Sequence, residues 1–402
     1  MDSLRTNLNF RFLWFSNIFF IGGNWALTLV LGWLVYETTE SELKLAIFTA
    51  LRLAPMWLGP ISGLLADRYN RAFLIRVLAL WAVAVIVLLA VLEAITTPSY
   101  LILMLAGFLT GLAQSPSQPA RNALALQLVG RKRLANANAL SALGMGLTGA
   151  ISPAIGGGIL NDAGATWALL YAASWYLLAA VCIWQVKVSH TTVRAETASI
   201  IPLLRDGLRQ VMRNQLTATM IIITLAANIL IWPVNHSFMP VFASDVLDLG
   251  PDGLGRLMMF LGVGSVIGSF IIASLGDFQH KGAMFVYGSM IWGTGWALFG
   301  LSTVVEISYV LLFGIGIIGA AFGVLQSTLM LMASAPEVQG RALGVLELAI
   351  GAMPIGTLLL GAIAQSIGVG PATTIAALLF VVILVIYTIR VPDLARYTGH
   401  DD

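Results

Sequence analysis

Gly63-Leu64-Leu65-Ala66-Asp67-Arg68-Tyr69-Asn70-Arg71 sets one carboxylate and two guanidinium groups, with a helix-ending glycine, between two apolar stretches. These types do electrostatic chemistry. A carboxylate at a helix end can accept the free N–H groups that open another helix, where the dipole favours an anion, and can release them again. Two further charges fall inside apolar stretches. Arg52 lies about nine residues into its stretch, roughly 14 Å deep, where an unpaired charge costs at least ~2.5 kcal/mol. Glu37, Glu93, Glu347 or an anionic ligand could compensate it. Glu347 stands between Gly344 and Gly351 on neighbouring helical turns, a carboxylate able to take up and release a proton. The four histidines, at 190, 236, 280 and 400, are scattered with no metal-ligand spacing, and no catalytic constellation is present in the sequence pattern. The residues imply neither an enzyme nor a cofactor or metal.

The elements that position these groups are membrane helices. Of 402 residues 58% are hydrophobic and 10% charged, against roughly 25% charged in a soluble domain. Twelve apolar stretches can be drawn, near 10–35, 45–66, 73–95, 100–120, 136–160, 167–188, 216–243, 253–275, 283–303, 308–332, 342–366 and 371–391. At 1.5 Å per residue, about 20 residues cross a hydrocarbon core of roughly 30 Å. The first stretch is too long for a signal-peptide core and lacks a small-residue cleavage site, so it is expected to stay in the mature chain.

Lys and Arg divide as 18 on the side of the N-terminus and 3 on the other, from a total of 21. The positive-inside rule then puts both termini in the cytosol. The net charge of +2 reflects this bias and not a nucleic-acid partner. Cys182, the single cysteine, excludes an intramolecular disulfide.

Two landmarks repeat at about half the chain length. Asp67 and Asp277 follow the second and eighth stretches (277 − 67 = 210), and Pro153 and Pro354 lie within the fifth and eleventh (354 − 153 = 201). A duplicated pair of six-helix halves is the expectation, an arrangement common in secondary transporters. The division is 1–188, a polar cytosolic linker 189–215, and 216–402. Within the linker, Ile200 to Arg213 mixes apolar and basic positions at helical spacing and could lie on an anionic membrane surface; a solvated run-up to the seventh stretch is equally compatible.

The segment Gly63, Leu65, Ala66, Asp67, Arg68, Arg71 resembles the loop between helices 2 and 3 of the major facilitator superfamily, departing at Asn70, where glycine is usual, and at Ala72, where a base is usual. The resemblance spans all twelve stretches. It implies an all-α polytopic fold of two pseudo-symmetric six-helix halves, with Gly63, Asp67, Arg68 and Arg71 as a cytosolic gate engaging the helix that opens near Pro336 to Gly340. In the fifth stretch, Gly149, Pro153, Gly156 and Gly157 resemble the antiporter pattern of this superfamily, with Ser152 in place of a glycine; this favours export over import. Pro119-Ala120-Arg121, the run Ala135 to Leu140 and the run Leu203 to Arg209 are similar to the branch of enterobactin exporters and macrolide-efflux proteins.

In that superfamily helices 1, 4, 7 and 10 line the substrate path. Here they carry polar residues that membranes otherwise exclude: Asn17, Asn24 and Thr28; Thr110, Gln114 and Gln118; Thr224, Asn228 and Asn235; Gln326, Ser327 and Thr328. Spacings of four and seven align most of each set on one face. With Trp25, Trp232 and Phe238 they outline a cavity for a bulky amphipathic ligand, although hydrogen bonds that only join the helices would look the same. The first helix has no acid, and Asn24 stands where many drug antiporters have one.

Gly144, Gly146 and Gly149, and again Gly314, Gly316 and Gly319, satisfy a dinucleotide-binding pattern literally, but neither set follows a strand. No phosphate-binding loop ending Gly-Lys-Ser/Thr occurs. The expectation is an exporter in the bacterial inner membrane, monomeric as is usual for the fold, exchanging a siderophore or drug for protons. An importer or lysophospholipid flippase of the same fold, and a non-transporting sensor or binding module, are the alternatives.

Overall fold

The structure, a computed structural model, describes residues 7–58, 69–188, 208–276, 278–334 and 338–398, with eight side chains between 131 and 142 left aside. The order is α1 Leu8–Thr39, α2 Glu42–Leu53 with a 3-10 turn Ala54–Leu58, α3 Arg71–Ile95, α4 Tyr100–Val129, α5 Arg131–Ala163, α6 Ala165–Trp184, α7 Gln215–Leu230, α8 Pro251–Leu275, α9 Lys281–Leu301, α10 Val305–Met332, α11 in two pieces Gln339–Ile350 and Met353–Ile367, and α12 Val369–Arg390. A short helix, Pro392–Arg396, follows. Among the described residues there is no strand, and ten helical segments are long and apolar enough to span a membrane. In a bilayer this is the expected solution, because a helix satisfies its own backbone polar groups.

The outer surface is largely apolar, while many of the polar residues within the helices are buried. Ser16 and Thr224 are 0% exposed, whereas Ile389 and Val310 are 75% and 70% exposed. Val77, Leu80, Trp81, Leu88, Val91 and Ile95 line the open side of α3. An apolar skin of this extent would be a liability in water and is the required surface in lipid.

Local signals explain the boundaries. Asn7, Ser41, Asn70 and Asn214 each accept a backbone N–H opening a helix, as N-caps do. Asn70, which stands where glycine is usual, has φ −59° and caps α3 by accepting the Phe73 N–H at 3.1 Å. One glycine separates α5 from α6 and another α11 from α12: Gly164 at φ 88° and Gly368 at φ 86°. A side chain would strain both. The offset, 368 − 164 = 204, is a further trace of the repeat.

Two expected regularities break. Beyond α7 the chain runs through π-turns at Val234–Phe238 and Phe242–Val246 around Pro233 and Pro240, since a proline removes an N–H from the ladder. The eleventh stretch stops at Gly351 and restarts at Met353 with Pro354 in its first turn, so Gly351 ends the helix that carries Glu347. By contrast, α5 runs on through Pro153.

The chain divides into two compact units, Met1–Glu196 with Leu249–Met259, and Thr197–Asp248 with Phe260–Asp402. The opening turns of α8 thus pack with the first unit. Several glycines of the dinucleotide-like patterns serve helix contacts: Gly144 meets Ile18, Gly316 meets the backbone of α8 at Leu261 and Ser265, and Gly319 meets Trp292.

Candidate functional site

Arg52, 8% exposed near the end of α2, reaches across to α1. Its Nη1 donates to Thr28 Oγ1 at 2.8 Å, and its Nη2 donates to Asn24 Oδ1 at 2.9 Å and more weakly to the Asn24 carbonyl at 3.4 Å. Thr28 Oγ1 in turn donates to the Asn24 carbonyl at 2.7 Å, so three groups of two helices form one network. The carboxylates expected as partners are not used: Arg52 is held by a hydroxyl and an amide, and its Nε has no partner. Glu93 Oε2 is itself buried and unpaired, and Glu37 is exposed at the end of α1.

Arg121 on α4 was missed as a site residue and was counted among the cytosolic loop charges. It lies inside α4, 3% exposed. Its Nε donates to Ser117 Oγ at 3.0 Å and its Nη1 to Ser16 Oγ of α1 at 3.1 Å, while the guanidinium covers the Phe20 ring at 4.6 Å. The ring of Phe20 stands edge-on to Tyr176 of α6 at 5.0 Å. Nη2 has no partner. The signal was present in the spacing: Ser117 and Arg121, and Ser16 and Phe20, are each four residues apart on their helices, which brings the members of each pair together. Moving the two buried intrahelical arginines, Arg121 and Arg52, out of the loop count leaves 17 against 2, the same bias.

The glycine–proline segment of α5 is a backbone contact surface. A β-carbon on Gly255 of α8 would stand 2.7 Å from the Pro153 carbonyl oxygen, and one on Gly157 would collide with the Pro251 carbonyl and lie 3.0 Å from the Gly255 Cα. Gly149 faces the Trp25 indole nitrogen at 3.4 Å and Gly156 faces Tyr171. Ser152, the departure from the resembled pattern, donates its hydroxyl to the Gly22 carbonyl of α1 at 2.6 Å. The serine thus pins α5 to α1 where glycine could only pack.

In the second unit, Thr224 Oγ1 donates to Gln326 Oε1 at 3.4 Å, joining α7 to α10. Asn228 is buried and spends its amide on the Thr224 carbonyl at 2.9 Å. Asn235 is buried in the first π-turn with Oδ1 unpartnered. Trp232 lies between His236 and Trp292 at 5.9 and 5.7 Å, an aromatic wall beside these polar groups. Glu347 is exposed on its helix.

The remaining expected residues are dispersed. Asn17 is buried with Oδ1 unpartnered. Gln114 is half-buried, and Gln118 is exposed and donates to Asn122 at 3.1 Å. Of the gate motif, Gly63, Asp67 and Arg68 lie outside the described residues, as do Asp277 and Pro336. Arg71 donates to the Ala123 carbonyl and to Gln127 of α4 at 3.3 and 3.4 Å.

Helices with an apolar skin, polar interior networks and buried cations define a polytopic membrane protein of the major facilitator fold. Residues 3–398 match the transmembrane secretion effector family, and the chain belongs to it. Among its relatives, the staphyloferrin A transporter of Staphylococcus aureus is 21% identical over 89% of this chain and 90% of its own length. The enterobactin exporter EntS of Salmonella choleraesuis is 28% identical over 42% of this chain and 41% of its own. Solved structures share the fold at low identity. A mutant of peptide transporter POT has a TM-score of 0.78 and 13% identity, covering 97% of this chain and 95% of that one. A bacterial homologue of the lysosomal transporter Spinster has a TM-score of 0.70 and 13% identity, covering 99% of each. The family and these neighbours are transporters, not enzymes.

Proposed function

We propose that this transporter exports a bulky amphipathic small molecule of the siderophore or drug type across a bacterial inner membrane, in exchange for protons and by alternating access. The observation that supports alternating access is the Pro153–Gly157 surface of α5, which meets the backbone of Gly255, while the export direction rests on the resemblance of this segment to the antiporter pattern. Such a contact can form and part as one piece, as a closure that cycles must do. The relatives support a siderophore-sized ligand, since one transports staphyloferrin A and another exports enterobactin. Thr224, Gln326 and Trp232 offer hydrogen bonds and an aromatic face to such a ligand, and Glu347 supplies a carboxylate for the proton. Gly63, Asp67, Arg68 and Arg71 would set the balance between the two access states without touching substrate. Both termini face the cytosol and the unit of function is the monomer.

Release of a siderophore from producing cells tests this. Cells lacking native exporters and carrying this chain should accumulate more staphyloferrin A or enterobactin in the medium than vector controls, and cells carrying Gly157→Val should not. Equal release by all three would overturn export of these compounds; faster uptake of added siderophore would reverse the direction.

A further inference from the structure

We propose that the transported molecule is an anion, and that Arg52 and Arg121 provide its counter-charge. This rests on the transport reading above and narrows it, excluding cationic drugs of the macrolide type as the principal cargo.

Charge balance inside the described residues is one-sided. Arg52, Arg121 and Lys281 are buried, whereas no described Asp or Glu is buried as a whole side chain, and Glu93, with one buried oxygen, makes no hydrogen bond to either arginine. Lys281 opens α9 and donates to a backbone carbonyl. The two arginines each have only neutral hydrogen-bond partners: Thr28 and Asn24 for one, Ser117 and Ser16 for the other. Hydroxyl and amide oxygens satisfy N–H groups, but they leave the charge uncompensated, and a buried cation without an opposite charge is costly. The guanidinium forks are also incompletely used. Arg52 Nε and Arg121 Nη2 are buried without an acceptor, and a carboxylate, catecholate or phosphate can engage such a fork through two oxygens.

A purely architectural role would be repeated in the second half. At the 210-residue offset Arg52 corresponds to Gly262, and at the 205-residue offset between the starts of α4 and α10 Arg121 corresponds to Gln326. Neither cation has a charged counterpart in the second half. Both are anchored on α1, at Ser16 and at Asn24 and Thr28. Eight to twelve residues at 1.5 Å separate these anchors by roughly 12–18 Å along the helix. An anion crossing the first unit would thus meet two stations, and one carrying two separated acidic groups could bridge them.

The test uses full-length protein in nanodiscs, with radiolabelled citrate as the probe and trimethyl citrate as its uncharged counterpart. Saturable citrate binding is expected, with no competition by the ester. Affinity should fall at least tenfold in Arg52→Gln and in Arg121→Gln, with partial recovery in Arg52→Lys and Arg121→Lys. No saturable binding to folded wild-type protein, equal competition by the ester, or unchanged affinity in both Gln variants would overturn the proposal. If the Gln variants do not fold, the Lys variants and the ester competition still decide it. Export of a neutral or cationic compound, unchanged by either Gln variant, would overturn this inference and leave export standing. Arginine-dependent citrate binding without export of any compound would do the reverse.

Discussion

Gly157 of α5 and Gly255 of α8 touch backbone to backbone, with a β-carbon on the first standing 3.0 Å from the Cα of the second. The next residue, Gly158, faces open space. Two adjacent glycines of the same helix therefore have opposite tolerance. Gly157→Val should abolish flux and cost about 1–3 kcal/mol through overpacking. Gly158→Ala should change stability by no more than about 0.5 kcal/mol and leave flux intact. Thermal melting and vesicle transport of the pair check this; equal behaviour would remove the closure assigned to this surface.

Ser152→Ala removes a buried hydroxyl that donates to the Gly22 carbonyl at 2.6 Å. The expected loss is about 1 kcal/mol, the typical net worth of one such bond. The melting temperature should fall with flux largely retained, because the contact with α8 runs through Gly157 and Gly255 instead. A full loss of flux would show that the serine acts in the cycle itself.

Asn24→Asp places a carboxylate 2.9 Å from Arg52 Nη2, where an amide oxygen now sits. Pairing the buried cation should raise the melting temperature, because the carboxylate balances a charge that the amide leaves uncompensated. The same substitution should weaken citrate binding at least tenfold, since the internal carboxylate takes the ligand's place. A less stable protein with unaltered citrate binding would contradict this use of Arg52.

Gly316 packs on the backbone of α8, whereas Gly314 has no neighbour within 4 Å of its would-be β-carbon. Gly314→Ala should therefore be neutral or slightly stabilising, because helix propensity favours alanine by about 1 kcal/mol, and Gly316→Leu should prevent folding. Yields of monodisperse protein in detergent read this directly.

The helical class was legible because lipid imposes a one-dimensional rule: long apolar runs must be helices, and polar residues within them must be accommodated. Gly164 and Gly368 follow the same logic and went unnoticed only because glycine is frequent. What composition could not give was partner choice. Arg52 was expected to find a carboxylate, but Asn24 and Thr28 of α1 reach it first, at helical spacing from one another. Arg121 was hidden by its position near a helix end, where a basic residue ordinarily marks a loop; its burial depends on Ser16, a contact 105 residues away in sequence. The break at Gly351 came from local backbone choice beside Pro354, which periodicity averages over.

The central claim, export in exchange for protons, is most directly tested in inside-out vesicles energised to an acidic interior. A pH-gradient dye reports proton movement as siderophores and drugs are added one at a time. The account requires compound-specific collapse of the gradient, strongest for anionic siderophores, absent in vesicles lacking the protein and lost in Gly157→Val. Accumulation of a compound in these vesicles with no collapse of the gradient, or no response to any of them from folded and correctly inserted protein, would contradict it.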